Sequence, residues 1–240
     1  TLAKAIEVWG EDSVPRLLVL GAGTINNISK SLMPPAASPE ATLERVVAGL
    51  RVGDMPSTRR HFPIRINGDK YGHIVGAGMV VRFLELYYAG ARPGPMSALR
   101  LLVHLGVSWI FGTAMTRRLM KPFDATVECD GKPLAFSSFS ILLASSVEHI
   151  GLGVRPFYRN RPPGRAFHLL AGPSSIGQLL VHLPRFFRGR PARLASLHDG
   201  SASRVLVRFA QPQRFTIDGE LLEATALLEL ETGPPIDLVV

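Results

Sequence analysis

The first fifty-five residues show a helix, strand and helix pattern. Residues 2–9 have the apolar spacing of a short amphipathic helix, and Arg16–Leu20 is a short apolar run that ends in a glycine turn. Ser38 is a good helix N-cap, with Pro39 in the first turn of a second amphipathic helix. This order is typical of an α/β domain, but one strand cannot close such a domain. We therefore predict that residues 1–55 are the C-terminal remnant of an α/β domain.

From about residue 60 the pattern changes to alternating and β-branched runs between turns. Hairpin turns are predicted at Asn67–Asp69, Asp130–Gly131 and Asp218–Gly219. The predicted strands are Ala125–Cys129, Phe139–Ser145, Ala166–Ala171, Arg204–Phe209, Arg214–Ile217, Ala224–Glu231 and Ile236–Val240. The predicted helical insertions are Val80–Tyr88, Ser97–Met120 and Ser174–Phe187. Residues 56–240 are therefore expected to form a β-rich domain with helical insertions.

The composition of the chain limits which classes of binding partner and which kinds of metal site it can have. The chain has 240 residues, 46% of them apolar, and 27 Lys and Arg against 19 Asp and Glu give a net charge of +8. Such an excess of positive charge favours nucleic acid, a phosphorylated ligand or an anionic membrane surface as partner. The single cysteine, Cys129, excludes an internal disulfide framework and cysteine-ligated metal clusters. None of the seven histidines falls in a metal-ligand spacing, so no metal-binding residue is assigned.

Two segments are candidates for contact with an anionic surface. His149–His198 contains eight arginines and no Asp or Glu, interleaved with apolar and aromatic residues. Such a tract is either a solvated basic face or a surface that binds phosphates. Leu101–Met115 is the most apolar stretch, but as a helix it rises only about 22 Å, short of the roughly 30 Å hydrocarbon core. We interpret it as a buried or interfacial helix. No recognition-helix or RNA-binding motif supports nucleic acid.

The glycine turn is the first candidate site. Gly21, Gly23, Thr24 and Asn26 lie between the predicted strand and the next helix. Glycines let the backbone approach a phosphate, and the free N–H groups at a helix start favour anions. The alternative is a plain tight turn with an asparagine as helix N-cap. The turn lacks the Lys-Ser/Thr ending of a P-loop and the third glycine of a dinucleotide fingerprint.

The second candidate site is the hairpin Asp218-Gly219-Glu220. Two carboxylates at the end of a strand are suited to holding Mg²⁺ or to taking a proton from a hydroxyl nucleophile. The alternative is a hairpin turn with solvated acids. Glu148–His149, after a long apolar strand, is a further candidate for a polar site.

Taken in order, these motifs resemble the bacterial diacylglycerol kinase and lipid kinase family, which includes ceramide and sphingosine kinases, over nearly the whole chain. The family has a Gly-Gly-Asp-Gly-Thr motif followed by a helix, and Thr1–Ile6 is similar to its last residue and that helix. Gly23–Asn27 is similar to the family's Gly-Thr-x-Asn-Asp motif. Asp218–Glu220 stands where the family has Asp-Gly-Glu, before the last strands.

The resemblance implies a two-domain enzyme, with residues 1–55 as the C-terminal remnant of an α/β nucleotide-binding domain and residues 56–240 as a β-sandwich-like domain with helical insertions. Such an enzyme transfers the γ-phosphate of ATP, with Mg²⁺, to the hydroxyl of a lipid such as a diacylglycerol or a sphingoid base. It places Thr1, Gly23, Thr24 and Asn26 along the nucleotide phosphates. It makes Glu220 the first choice, and Asp218 the second, for the base that activates the lipid hydroxyl. It also implies a cytoplasmic location at the inner membrane face. The lipid and the oligomeric state stay open.

Two departures from the family pattern favour the alternative of a non-catalytic lipid- or nucleotide-binding relative. Asn27 replaces the last aspartate of the family's second motif, and Arg161–His168 lacks the carboxylate that the family associates with a structural Mg²⁺. In addition, most of the first nucleotide motif would precede Thr1. We therefore expect this segment on its own to be inactive.

Overall fold

The computed structural model describes residues 2–11, 13–20, 31–32, 38–90, 100–101, 103–104, 106–108, 111, 113–151, 153–160 and 164–239. The helices are α1 Leu2–Trp9, α2 Pro39–Arg51, α3 Met79–Tyr88, α4 Ala114–Leu119, α5 Ile176–Val181 and α6 Leu183–Phe187, with a 3₁₀ turn at Tyr158–Asn160. The strands are β1 Leu17–Leu18, β2 Thr58–His61, β3 Ile64–Ile66, β4 Lys70–Gly72, β5 Ile74–Gly78, β6 Phe123–Cys129, β7 Lys132–Pro133, β8 Ser138–Phe139, β9 Ile141–Ser145, β10 Phe167–Gly172, β11 His198–Ala202, β12 Arg204–Ile217, β13 Glu220–Thr232 and β14 Ile236–Val239. The chain is thus a mixed α/β protein, mostly sheet with a few helices, as predicted.

A three-stranded sheet joins the two ends of the chain. Its order is β1-β14-β2, with β1 parallel to β14 and β14 antiparallel to β2. Leu17 lies opposite Leu238, and Ile236 lies opposite His61. The predicted domain boundary falls between α2 and β2, so strands from both sides of it share this sheet.

The larger sheet has the strand order β11-β10-β9-β5-β12-β13-β3-β4, and β6 pairs with the first half of β12. The predicted strands Arg204–Phe209 and Arg214–Ile217 are parts of one strand, β12, so the predicted interruption is wrong. The pairing of β12 with β13 shifts register between Arg208 and Gln213. Pro212, which has no N–H to donate, lies in this interval, and a bulge accommodates it within the strand.

Both faces of the central strands are covered. All five residues of β9 are buried: Leu142 and Ala144 belong to one apolar cluster, whereas Ile141 and Leu143 belong to another that includes Phe186 of α6. Continuous burial of this kind explains why β9 is apolar throughout rather than alternating. Helices α5 and α6 thus cover one face of the sheet, and the opposite face packs against the strands around β6 and β12.

The predicted long helices are divided into shorter ones. Ser174–Phe187 forms two helices, since α5 ends at Val181 and α6, with Pro184 in its first turn, begins at Leu183. Described residues between 100 and 108 are helical, and Thr113 then caps the separate helix α4. Proline fits the first turn of a new helix, where no N–H is required. No helix in the described parts of the chain has the length and apolar character needed to cross a membrane.

Candidate functional site

The predicted acidic hairpin is the two-residue turn between β12 and β13. Asp218 and Gly219 both adopt positive φ, +51° and +93°, as tight hairpin turns of this kind require. Asp218 Oδ1 accepts hydrogen bonds from the backbone N–H groups of His73 at 2.9 Å and Ile74 at 2.8 Å. The Asp218 N–H in turn donates to the Ile74 carbonyl. The Asp218 carboxylate therefore fastens this turn to the start of β5.

Two neighbours hold the turn in place. A Cβ added to Gly72 would lie 2.3 Å from Ile217 Cγ2 and 3.3 Å from Asp218 Oδ2, so only glycine allows this close approach. On the α3 side, the Tyr88 hydroxyl donates to the Gly219 carbonyl at 2.9 Å. The turn is thus fixed by β4 and β5 on one side and by α3 on the other.

Glu220 differs from Asp218 in its surroundings. It is exposed at the start of β13, and no hydrogen bond or ion pair to its carboxylate occurs within the described residues. Burial raises the pKa of the nearby Tyr88 phenol, and the Tyr87 phenol and the negative charge of Glu220 raise it further. The Glu220 carboxylate is therefore available to a ligand at the rim of a rigid turn.

Behind the turn lies a buried cluster of three polar side chains. His61 Nε2 is 3.1 Å from His73 Nδ1, and Ser146 Oγ lies 3.3 Å from His73 Nδ1 and 3.4 Å from His61 Nε2. Burial lowers the pKa of both imidazoles. The pKa of His61 is lowered further because the charges of His73 and Arg59 act in the same direction as burial. For His73 the Asp218 carboxylate opposes the effect of burial. Both histidines are therefore neutral near pH 7.

The loop after β9 connects this cluster to Ser31. The Ser146 N–H donates to the His73 carbonyl at 2.9 Å, and the His149 N–H donates to Ser31 Oγ at 3.1 Å. Asn160 Nδ2 holds the loop by donating to the Ser145 and Val147 carbonyls. This loop, which contains the predicted polar pair Glu148–His149, therefore contacts both Ser31 and His73, and the His73 N–H donates to Asp218 of the acidic turn.

The predicted nucleotide-binding residues Thr1, Gly23, Thr24 and Asn26 lie outside the described residues. Asp218 and Glu220 lie at one turn, as predicted from their spacing. The cluster of His61, His73 and Ser146 was not predicted, because these residues come from separate strands and share no spacing that a single sequence reveals.

The predicted segment Arg161–His168 contains no carboxylate, but its last residue, His168, contacts the acid Asp199 of strand β11. Asp199 Oδ1 accepts hydrogen bonds from His168 Nε2 at 2.8 Å, the Tyr158 hydroxyl at 2.9 Å and Arg159 Nε at 3.2 Å. Burial alone would raise the pKa of Asp199, but these hydrogen bonds and the neighbouring positive charge lower it on balance. This carboxylate is thus satisfied by protein donors. No group of three or more His, Cys, Asp or Glu suited to a metal occurs within the described residues.

The fold is similar to that of solved diacylglycerol kinases. No family model matches the sequence, and no curated protein matches it. Three structures from Bacillus anthracis str. Sterne, one of a diacylglycerol kinase and two of a putative diacylglycerol kinase, each match 95% of this chain and 68%, 69% and 70% of their own chains, with TM-scores of 0.59, 0.61 and 0.63. Sequence identity is 14% in each case. The predicted resemblance is therefore confirmed at the level of the fold: this chain has the fold of the bacterial diacylglycerol kinases.

Proposed function

We propose that this chain provides the acceptor side of an ATP-dependent lipid kinase, which transfers the γ-phosphate to the hydroxyl of a diacylglycerol-like or sphingoid lipid. The observation that carries the proposal is the β12–β13 turn, where an exposed carboxylate, Glu220, sits on a backbone held by Asp218, Gly72 and Tyr88. The diacylglycerol kinase fold makes phosphoryl transfer the chemistry that this turn fits best.

In this mechanism Glu220 accepts the proton of the lipid hydroxyl as its oxygen attacks the γ-phosphorus, and the bond between the γ-phosphorus and the ADP oxygen breaks, so that ADP leaves. A primary alcohol is a very weak acid, so a positioned base is needed to take its proton in the transition state. Asp218 acts mainly as a positioning residue, because one of its oxygens already accepts two backbone N–H groups. Fixed positioning and electrostatic stabilisation supply most of the rate enhancement in phosphoryl transfer.

ATP and Mg²⁺ belong to the proposal through the family's chemistry. Mg²⁺ usually keeps several waters and binds through substrate phosphates with one or two carboxylates, so a three-residue protein cage is not needed. When bound, it neutralises charge on the transferred phosphoryl group. We assign the nucleotide phosphates to Gly23, Thr24 and Asn26, with Thr1 at the end of the first motif.

The test is transfer of labelled phosphate from ATP to diacylglycerol, ceramide and a total lipid extract in detergent micelles, using the protein at its natural full length. We expect Glu220→Gln to lower the rate by roughly 100-fold or more, the range of a general base. The matched control is Glu223→Gln, an exposed acid on the same strand, which should leave the rate unchanged.

Asp218 is tested with two variants, because its structural role in the turn must be distinguished from any chemical role. Asparagine keeps an oxygen acceptor and tolerates positive φ, so Asp218→Asn should preserve the turn and lower the rate less than Glu220→Gln. Asp218→Ala leaves two N–H groups unpaired, and we expect it to cost about 1–3 kcal/mol of stability. If the wild type labels no lipid, or if Glu220→Gln stays fully active, the kinase proposal is wrong. Binding of lipid or nucleotide without transfer would then favour the non-catalytic relative.

A further inference from the structure

Positive charge is segregated along this chain. Residues 86–123 and 149–198 together hold thirteen of the 27 Lys and Arg residues and none of the nineteen Asp and Glu. The rest of the chain has fourteen Lys and Arg against nineteen Asp and Glu, so it carries a net negative charge. The excess of positive charge therefore belongs entirely to two insertions, one between β5 and β6 and one between β9 and β11 that also contains β10.

The two insertions pack against each other in the fold. Ile176 and Leu180 of α5, from the second insertion, share an apolar cluster with Leu101 and Met115 from the first. Phe83 of α3 belongs to the same cluster and connects it to the rest of the protein. The insertions thus form one helical layer on the molecule rather than two separate basic patches.

This layer exposes apolar side chains. Val103 is 60% exposed and Phe111 is 76% exposed, with the exposed Val107 midway between them at four-residue spacing. In the second insertion, Val181 is 67% exposed, and Phe187 is exposed as well. Soluble surfaces tolerate single apolar side chains, but several on one packed layer indicate contact with an apolar partner.

The same two insertions also carry exposed cations. The first insertion contributes Arg100, Arg117, Arg118 and Lys121, and the second contributes Arg185, Arg188 and Arg190. Within the described part of the chain, none of these seven residues forms an ion pair with a carboxylate. Arginine binds phosphate groups through two parallel hydrogen bonds. A layer that exposes both apolar side chains and arginines without a carboxylate partner among the described residues matches the boundary between the headgroups and acyl chains of an anionic bilayer.

We propose that this layer docks the protein onto an anionic phospholipid surface, with Phe111 and Val181 at the acyl boundary and the arginines on the lipid phosphates. Nucleic acid would neutralise the arginines but would leave the apolar side chains in water. A second copy of the chain would bring two cationic layers together at a cost in repulsion. The proposal concerns a binding surface and does not require the chain to be a kinase.

The test is co-sedimentation with phosphatidylcholine vesicles, with and without phosphatidylglycerol, at low and high salt. We expect binding only when phosphatidylglycerol is present, and weaker binding as salt rises, because screening reduces the attraction of the basic layer. Replacing three apolar side chains together, by Val103→Ser, Val107→Ser and Phe111→Ser, should weaken binding roughly tenfold or more, through the loss of buried apolar area.

Helix α2 offers matched controls for apolar surface and for charge. Leu43, Val47 and Leu50 are 45%, 38% and 49% exposed, and their triple serine variant should bind vesicles like the wild type. Arg117→Gln with Arg118→Gln should weaken binding, whereas Arg45→Gln with Arg51→Gln on α2 should not. Circular dichroism and thermal unfolding verify that every variant is folded.

Equal losses in the layer variants and the α2 variants would overturn the proposal, as would equal binding to both kinds of vesicle. Tight, salt-dependent binding to duplex DNA without vesicle binding would assign the layer to nucleic acid instead. A dimer that dissociates in the layer variants would assign it to a second copy of the chain. The kinase assay in detergent micelles contains no vesicles, so failure of one proposal is distinguishable from failure of the other.

Discussion

Asp218 and Glu220 are two residues apart in the chain, yet their carboxylates have different surroundings. Asp218 accepts two backbone hydrogen bonds and sits between Gly72 and the start of β5, whereas Glu220 faces solvent beside Tyr88. The sequence places them together as an acidic pair. The structure distinguishes a residue that holds the turn from a residue whose carboxylate is exposed to solvent.

The buried histidines His61 and His73 predict a dependence of stability on pH. Their pKa values are lower in the folded protein than in the unfolded chain, so the unfolded chain binds more protons once pH falls below about 6.5. The contribution of these two histidines to the free energy of unfolding should therefore be constant well above that pH. As the pH decreases below about 6.5, the free energy of unfolding should fall. Urea unfolding at pH 8, 7, 6 and 5 measures this decrease.

The variant for this prediction is His61→Gln with His73→Gln, which keeps hydrogen-bonding groups but removes the titration. The decrease in stability should become smaller without disappearing, because burial also lowers the pKa of His198. The exposed His104→Gln variant is the matched control for the loss of an imidazole. An unchanged decrease in the double variant would contradict the prediction.

At the scale of elements, the hairpin of β12 and β13 depends on close contact with β4. The Asp-Gly turn is a local property, since both residues tolerate positive φ. The position of the turn in the fold, however, depends on Gly72, where any side chain would meet Ile217. The contact of Gly72 with Ile217 thus decides whether the acidic turn can lie against β5.

Gly72→Ala should destabilise the protein by about 1–3 kcal/mol, the usual cost of forcing a methyl group into a closely packed position. The matched control is Gly106→Ala, in a helical segment where an added Cβ meets no atom within 4 Å. This control should be neutral or stabilising by about 1 kcal/mol, because alanine is the better helix former. Urea unfolding measures both, and equal stability of the two variants would rule out the predicted clash.

At the scale of the whole molecule, strand β14 connects the ends of the chain. It pairs with β1 and with β2, and its Ile236 and Leu238 share an apolar cluster with Ile6 of α1 and with Tyr71 of β4. The small sheet and the edge of the large sheet therefore have a common core. We expect the described parts to unfold in one cooperative transition rather than in two.

Leu238→Ala tests this connection, since Leu238 is fully buried. Loss of a buried leucine side chain should cost about 2–5 kcal/mol. Amide hydrogen exchange should then increase in both β2 and β4 rather than in the small sheet alone. The control Leu227→Ala, at an exposed position of β13, should change stability by less than about 0.5 kcal/mol. Two separate transitions in Leu238→Ala would show that the sheets are independent.

The sequence by itself determined the local features of this protein. The helix start at Ser38–Pro39, the hairpin turns at Asn67–Asp69 and Asp218–Gly219, and the positions of strands β6, β9, β10, β12, β13 and β14 follow from residues within a few places of one another. Turn conformation and helix capping depend on the dihedral angles and hydrogen bonds of neighbouring residues. They can therefore be predicted from the residue types in a single sequence. The order of short motifs likewise identified the fold.

Only the tertiary structure decided which distant residues meet. The pairing of β1 with β14, the cluster of His61, His73 and Ser146, and the hydrogen bonds of Asp218 to β5 all join residues from separate elements. The continuation of strand β12 through Pro212, with a shift in its pairing to β13, and the division of the long helical segments were also decided there. The physical reason is that such contacts form only when buried surfaces of the whole chain pack together, and local propensity does not specify the partner.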